Sequence, residues 1–120
     1  MRERPYQKLI VWKEAHALCR EIYAMTANFP QREIYALADQ MRRSSYSVPM
    51  NIAEGNARKS NKDQAHFLEI SISSHEELHY QCLLSRDLDY IHDEQLEQTD
   101  NHIQRVGYLL HKLRSSLAVS

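Results

Sequence analysis

The chain has 120 residues, enough for one domain spanning 1–120 with a modest core. Two glycines and three prolines are too few for an all-β chain, which needs frequent turn residues. Charged residues at 26% and hydrophobic ones at 42% describe a soluble globular protein, and the longest apolar run, Leu9-Ile10-Val11-Trp12, is too short to span a membrane.

Met1-Arg2-Glu3-Arg4-Pro5 is not followed by an apolar segment, so no signal peptide is expected. Cys19 and Cys82 stand apart in helical patterns. Isolated cysteines in a leaderless chain are expected as reduced thiols of a cytoplasmic protein. Net charge is −1 but unevenly spread. Residues 1–60 carry ten Lys/Arg against six Asp/Glu, and residues 61–120 carry five against ten. Either a basic face meets an anionic partner, or the two halves pair with each other, within a bundle or across subunits.

Val11, Ala15, Leu18, Ile22, Met25 and Phe29 step by 4-3-4-3-4, the apolar seam of a helix expected over about 8–29. Pro30 closes it, because the residue before a proline is pushed out of the α region. Ile34, Leu37, Met41, Ser44 or Ser45, Val48 and Ile52 continue the spacing in a second helix expected over about 31–58. Pro49 lies inside this run, removes a backbone donor and predicts a kink near Ser45. Serines at the seam let helices approach closely.

Ser60 with Asp63 predicts an N-terminal cap and a third helix over about 61–89. Its expected apolar face is Phe67, Leu68, Ile70, Ile72, Leu78, Cys82 and Leu83, interrupted by Ser71, Ser74 and His75. Asp93 is the expected cap of a fourth helix over about 93–117, with Leu96, Thr99, Ile103, Val106, Leu110, Leu113 and Leu117 stepping 3-4-3-4-3-4. Four long helices on short connections predict an all-α, antiparallel up-down four-helix bundle.

Two stretches suggest chemistry. His75-Glu76-Glu77-Leu78-His79 fits the H-E-x-x-H pattern, in which two histidines one helical turn apart bind zinc and the glutamate activates water. No third histidine follows in the extended motif, Glu77 puts a charge beside the metal, and no strand is expected to hold a peptide substrate. Glu76-x-x-His79 is also half of a di-iron bundle motif, without its second half. The plainer reading is a pair of helix-face histidines, and no metal is expected. There is no Gly-rich phosphate loop, no Gly-x-Ser-x-Gly elbow and no Cys–His nucleophile pair, so neither cofactor nor enzymatic activity is expected.

The second stretch is basic. Arg42 and Arg43, then Arg58 and Lys59 with Lys62 beyond, are the best candidates for binding phosphate or a partner protein. Sixteen residues separate Arg42 from Arg58, so the two need not share a helix face. The competing reading pairs Arg42 or Arg43 with a carboxylate such as Glu54 or one on the third helix. Asn51 and Glu54 are expected to be structural, hydrogen-bonding across the bundle where Pro49 frees a carbonyl, and Gly55 weakens the helix before it ends.

Val11-Trp12, Phe29-Pro30, Arg42-Arg43, Ser47-Val48-Pro49 and above all Asn51-Ile52-Ala53-Glu54-Gly55 carry a resemblance. The chain resembles the small four-helix-bundle proteins encoded in intervening sequences of bacterial 23S ribosomal RNA genes. The accessory variability protein of diversity-generating retroelements is related to them. Further matches run from Ala15 through Arg58 to Glu77-Leu78 and Tyr90. Ala36 stands where the family usually has glycine, and His75, Glu76 and His79 are not part of the family pattern. The resemblance implies a homopentameric ring without enzymatic activity, with RNA or a nucleic-acid-handling protein as partner. A protein-interaction scaffold without nucleic acid is the alternative, and a zinc hydrolase through His75 and His79 the remote one.

Overall fold

In the computed structural model, residues 1–117 are described; residues 118–120, which the expected domain includes, lie outside the described residues. Four helices carry these residues: α1 (Ile10–Thr26), α2 (Leu37–Asn56), α3 (Asn61–Asp87) and α4 (Asp93–Ser116). Short 3-10 turns, Pro5–Lys8 and Gln31–Glu33, precede α1 and α2. The described residues contain no strand, so the fold is all-α with four helices.

The helix ends follow side-chain chemistry more than apolar spacing. Thr26 turns its hydroxyl back to the carbonyl of Ile22 at 2.8 Å, and α1 ends there rather than at Phe29. The second helix starts at Leu37, not just past Pro30. Glu33 explains the delay: its carboxylate accepts from the Tyr90 hydroxyl at 2.6 Å and from the backbone N–H of Leu37 at 3.4 Å, which ties the intervening turn to the α3–α4 connection. Ile34, expected in the seam, lies in that turn and is 41% exposed. Helix α2 runs through Pro49 and stops at Asn56. Ser60 caps α3, accepting from the N–H of Asp63 at 3.1 Å. The cap position of α4 is His92; Asp93 is the first helical residue, where its charge suits the positive helix end.

Each helix touches two others. Helix α1 lies against α2 and α4, and α3 lies against the same two, while the diagonal pairs do not meet. Partner numbers run in opposite senses across each contact. Thr26 meets Arg42 while Cys19 meets Ser45; Ser71 meets Val48 while Ser85 meets Met41; Glu69 meets Arg114 while His75 meets Ile103. Ile22, Met41, Leu78 and Val106, one from each helix, are fully buried where the four meet. Each is worth roughly 1.5–3 kcal/mol relative to exposure.

Helices α2 and α3 are the closest pair, because small residues line both. Ser71 donates to the carbonyl of Val48 at 2.9 Å, and Ser47 and Ser74 share a hydrogen bond of 2.8 Å. The buried face of α3 is therefore Leu68, Ser71, His75, Leu78, Cys82 and Ser85, with Ser74 beside it. Ser71, Ser74 and His75, expected as interruptions, are members of that face, while Ile70 points outward at 37% exposure. Polar groups are tolerated there because most of them find backbone or hydroxyl partners.

Candidate functional site

The four basic residues singled out on and after α2 divide into separate places. Arg42 is half-buried: its Nε donates to Thr26 Oγ1 at 2.9 Å, and its guanidinium lies over the Tyr23 ring, 5.2 Å from the centroid. Neither Glu54 nor a helix α3 carboxylate pairs with it; its partners are on α1. Arg43 is exposed and meets no carboxylate among the described residues. Arg58 lies beyond the far end of α2, in an ion pair with Glu54 and 4.8 Å from the Phe67 ring. Lys59 is exposed without a carboxylate partner among the described residues. Sixteen residues at 1.5 Å each put Arg42 and Arg58 roughly 24 Å apart along the axis. They do not form one site.

The Asn51–Gly55 block is structural, by a different route from the expected one. Asn51 Nδ2 donates within its own helix, to the carbonyl of Ser47 at 2.8 Å and to Ser47 Oγ at 3.1 Å. Only Ser47, through Ser74, continues across to α3. The carbonyl that Pro49 deprives of a donor belongs to Ser45, so Asn51 does not serve it. Glu54 pairs with Arg58 at the surface and does not cross the bundle either. Gly55 lets α3 approach. A Cβ built there would lie 3.0 Å from Phe67 Cβ and 3.2 Å from the carbonyl oxygen of Gln64.

The H-E-x-x-H residues face α4. His75 is buried, and its Nε2 lies 2.7 Å from the carbonyl oxygen of Ile103. A carbonyl can only accept, so Nε2 carries the proton. Burial holds the imidazole below the usual histidine range, against the pull of that hydrogen bond. His79 is half-exposed, with Nε2 3.5 Å from Asp100. Among the described residues no group of three His, Cys, Asp or Glu is placed to hold a metal ion. Burial likewise pushes the Cys82 thiol up to about 12, which leaves it unreactive.

A basic end is present that was only partly read from the sequence. Leu9, Gly55, Gln64, Leu113 and Leu117 close around a cavity of about 50 Å³ at one end of the bundle. The segments meeting there bring Lys8, Arg58, Lys59, Lys62, Lys112 and Arg114. Arg58 answers Glu54 and Arg114 answers Glu69; against the four remaining lysines these segments set Asp63, which leaves a basic surplus. Lys8 and Lys112 are distant in sequence from Lys59. Counting helices was the available signal: an up-down bundle returns residues near 8, 58 and 113 to the same end.

The family model described as "23S rRNA-intervening sequence protein" matches residues 7–112. The fold is also similar to a crystal structure of a protein with unknown function from the S23 ribosomal protein family of Bacteroides thetaiotaomicron. The two agree with a TM-score of 0.82 at 22% identity, over 88% of this chain and 96% of that one. At that identity the likeness establishes the fold alone. No curated protein matches the chain.

Proposed function

This chain belongs to the 23S rRNA-intervening sequence protein family, and we propose that it is a non-enzymatic, ring-forming bundle that holds structured RNA against its basic end. The observation that carries the reading is the gathering of Lys8, Lys59, Lys62 and Lys112 around one end, all exposed and free of carboxylate partners among the described residues. Lysine at such a surface neutralises phosphate without reading sequence. One copy carries a net charge of −1 and would bind weakly. A ring repeats the end around one rim, and linked weak contacts add through effective concentration. The expected homopentamer supplies that repetition.

The non-enzymatic part is supported by how the candidate groups are used. The Nε2 of His75 is engaged by a backbone carbonyl inside the bundle, and Cys82 is buried. A cytoplasmic location goes with this reading.

The test is retention of a structured RNA hairpin at low and moderate salt. Wild type is expected to bind at low salt and to weaken steeply as salt rises. Lys59→Ala/Lys62→Ala is expected to bind more weakly and with a shallower salt slope, by about 0.9 per lost phosphate contact. Arg42→Ala/Arg43→Ala is expected to retain the slope of the wild-type oligomer per bound ring. Absence of binding by wild type at low salt overturns the proposal and leaves the protein-scaffold reading.

A further inference from the structure

Helices α3 and α4 leave a groove along the side where they meet. One cleft of about 440 Å³ is lined by Ile72, Tyr108 and Leu110, and a second of about 370 Å³ by Leu83 and Leu96. Both reach His79 and Ile103, so the two run into one another. From Asp93 to His111 the groove follows α4 for eighteen residues, roughly 27 Å at 1.5 Å each.

Its walls have helical spacing. Ile72, Glu76, His79, Leu83 and Arg86 line it from α3, and Asp93, Glu97, Asp100, Gln104, Tyr108 and His111 from α4, each set in steps of three and four. Residues so spaced stay on one side of a helix. The groove therefore runs straight between the two axes. A rod of the same pitch fills it along its length: a third helix, packed as bundle helices pack on one another. An extended chain repeats every two residues and matches neither wall.

Apolar groups form the floor and acids the rim. Ile103 and Leu110 are buried, Ile72, Leu83 and Leu96 are half-buried, and Tyr108 is 63% exposed. Glu76, Asp93, Glu97 and Asp100 line the groove against a single Lys or Arg, Arg86, which Asp87 and Asp93 already hold. Asp100 has His79 at 3.5 Å. Glu76 and Glu97 are exposed and meet no Lys or Arg among the described residues. Such a rim repels phosphate and attracts lysine and arginine. Lys112, 6.0 Å from the centroid of the Tyr108 ring, marks where the basic end begins.

We propose that the α3–α4 groove docks a basic amphipathic helix of a partner protein, its apolar stripe on Ile72, Leu83, Leu96 and Tyr108 and its lysines or arginines against Glu76, Glu97 and Asp100. The partner helix lies on the bundle as a fifth helix. The site is separate from the lysines proposed to hold RNA, so either reading can fail while the other stands. One chain then carries two surfaces of opposite charge, one for RNA and one for a protein.

The probe is a fluorescent peptide of about eighteen residues, leucine and lysine only, with leucines at i, i+3, i+4 and i+7. A second peptide has the same composition with that spacing scrambled. By anisotropy, wild type is expected to bind the patterned peptide about tenfold tighter or more than the scrambled one, and less tightly as salt rises. Glu76→Lys/Glu97→Lys is expected to lower that affinity about tenfold or more. Glu3→Lys/Glu77→Lys makes the same change of net charge at exposed positions away from the groove, and is expected to stay within about twofold of wild type. Leu83→Ala/Tyr108→Ala is expected to weaken binding with no change of charge. Circular dichroism checks the fold of each variant, and Tyr108→Ala alone replaces the last pair if that pair does not fold. Equal binding of the two peptides, or equal loss in the two lysine pairs, overturns the proposal, because charge alone would then be acting. Light scattering in which Glu76→Lys/Glu97→Lys breaks up an assembly that wild type forms also overturns it, since a second copy would then fill the groove. So does loss of RNA hairpin retention in Leu83→Ala/Tyr108→Ala, which would make RNA the occupant.

Discussion

The imidazole of His75 donates from Nε2 to the carbonyl oxygen of Ile103, 2.7 Å away. The ring lies against α4 at Gly107, where an added Cβ would stand 3.5 Å from Nε2. What reads as the first ligand of a zinc motif is thus a bolt between α3 and α4. Its Nδ1 is buried without a protein partner, so a second proton there would be buried without one too.

That geometry makes the fold sensitive to mild acid. Burial holds His75 below its ordinary 6.5, so the unfolded chain takes up a proton that the folded one resists. The stability contribution is complete above pH 6.5 and is lost as pH falls through the folded pKa. Thermal melting of wild type is expected to drop as pH falls below about 6.5. His75→Gln keeps a donor for Ile103 and removes the titration, so its melting temperature should be flatter over that window. An equally steep fall in the variant would show that His75 is not the responsible group.

A second acid window belongs to Glu14. Its carboxylate accepts from Arg105 Nε at 3.0 Å and stands 3.2 Å from His102 Nε2, joining α1 to α4. The Arg105 hydrogen bond, more than its charge or that of His102, holds Glu14 below 4.5. A depressed carboxylate stabilises the fold above the unfolded pKa and loses that contribution as pH falls through the folded one. Glu14→Gln should therefore lower stability at pH 7, by about 1 kcal/mol for so accessible a contact, and reduce the acid dependence below pH 4.5. Urea melts of both proteins at pH 7 and 3.5 measure the two effects.

Apolar spacing was sufficient for α1 and α4 because their seams are built from side chains that cannot be satisfied in water. Val11, Ala15, Leu18, Ile22 and Met25 are all buried, as are Ile103, Val106 and Leu110. Helix α3 was misread for the opposite reason. Its face steps 68, 71, 75, 78, 82, 85, as regular as α1, but three of the six are Ser or His whose polar atoms bond to neighbouring helices or to α3 itself. Hydrophobicity cannot register a seam held by hydroxyls at close range. The basic positions were legible as residue types and not as a site. Arg42 and Arg43 are adjacent in sequence yet face different neighbours, and Lys8 and Lys112 reach Lys59 only through the topology.

The two glycines should respond oppositely to alanine. At Gly107 an added Cβ meets His75 at ordinary contact distance, so Gly107→Ala is expected to stabilise by about 0.5–1 kcal/mol through helix propensity. At Gly55 the added carbon meets the Gln64 carbonyl oxygen at 3.2 Å and Phe67 Cβ at 3.0 Å, atoms on or next to the backbone of α3. Gly55→Ala must push the helices apart and is expected to cost about 1–3 kcal/mol despite the same propensity gain. Chemical denaturation of the two variants checks the sign of each; a stabilised Gly55→Ala would mean that α2 and α3 are not held so closely.

Separating the two adjacent arginines is the sharpest check on what each contributes to α2. Arg42 supplies a donor to Thr26 Oγ1, whose own proton is committed to Ile22, and lays its guanidinium over Tyr23. Truncation leaves the threonine oxygen short of a donor and the tyrosine face bare, so Arg42→Ala is expected to cost about 1–2 kcal/mol. Lysine cannot repair it, because the bond uses Nε of a planar group lying flat on a ring. Arg43, exposed and unpaired within one copy, should change monomer stability by less than about 0.5 kcal/mol when replaced by alanine. Urea denaturation of both variants resolves the difference. If Arg43→Ala destabilises the chain as much as Arg42→Ala, the outward arginine is a structural residue.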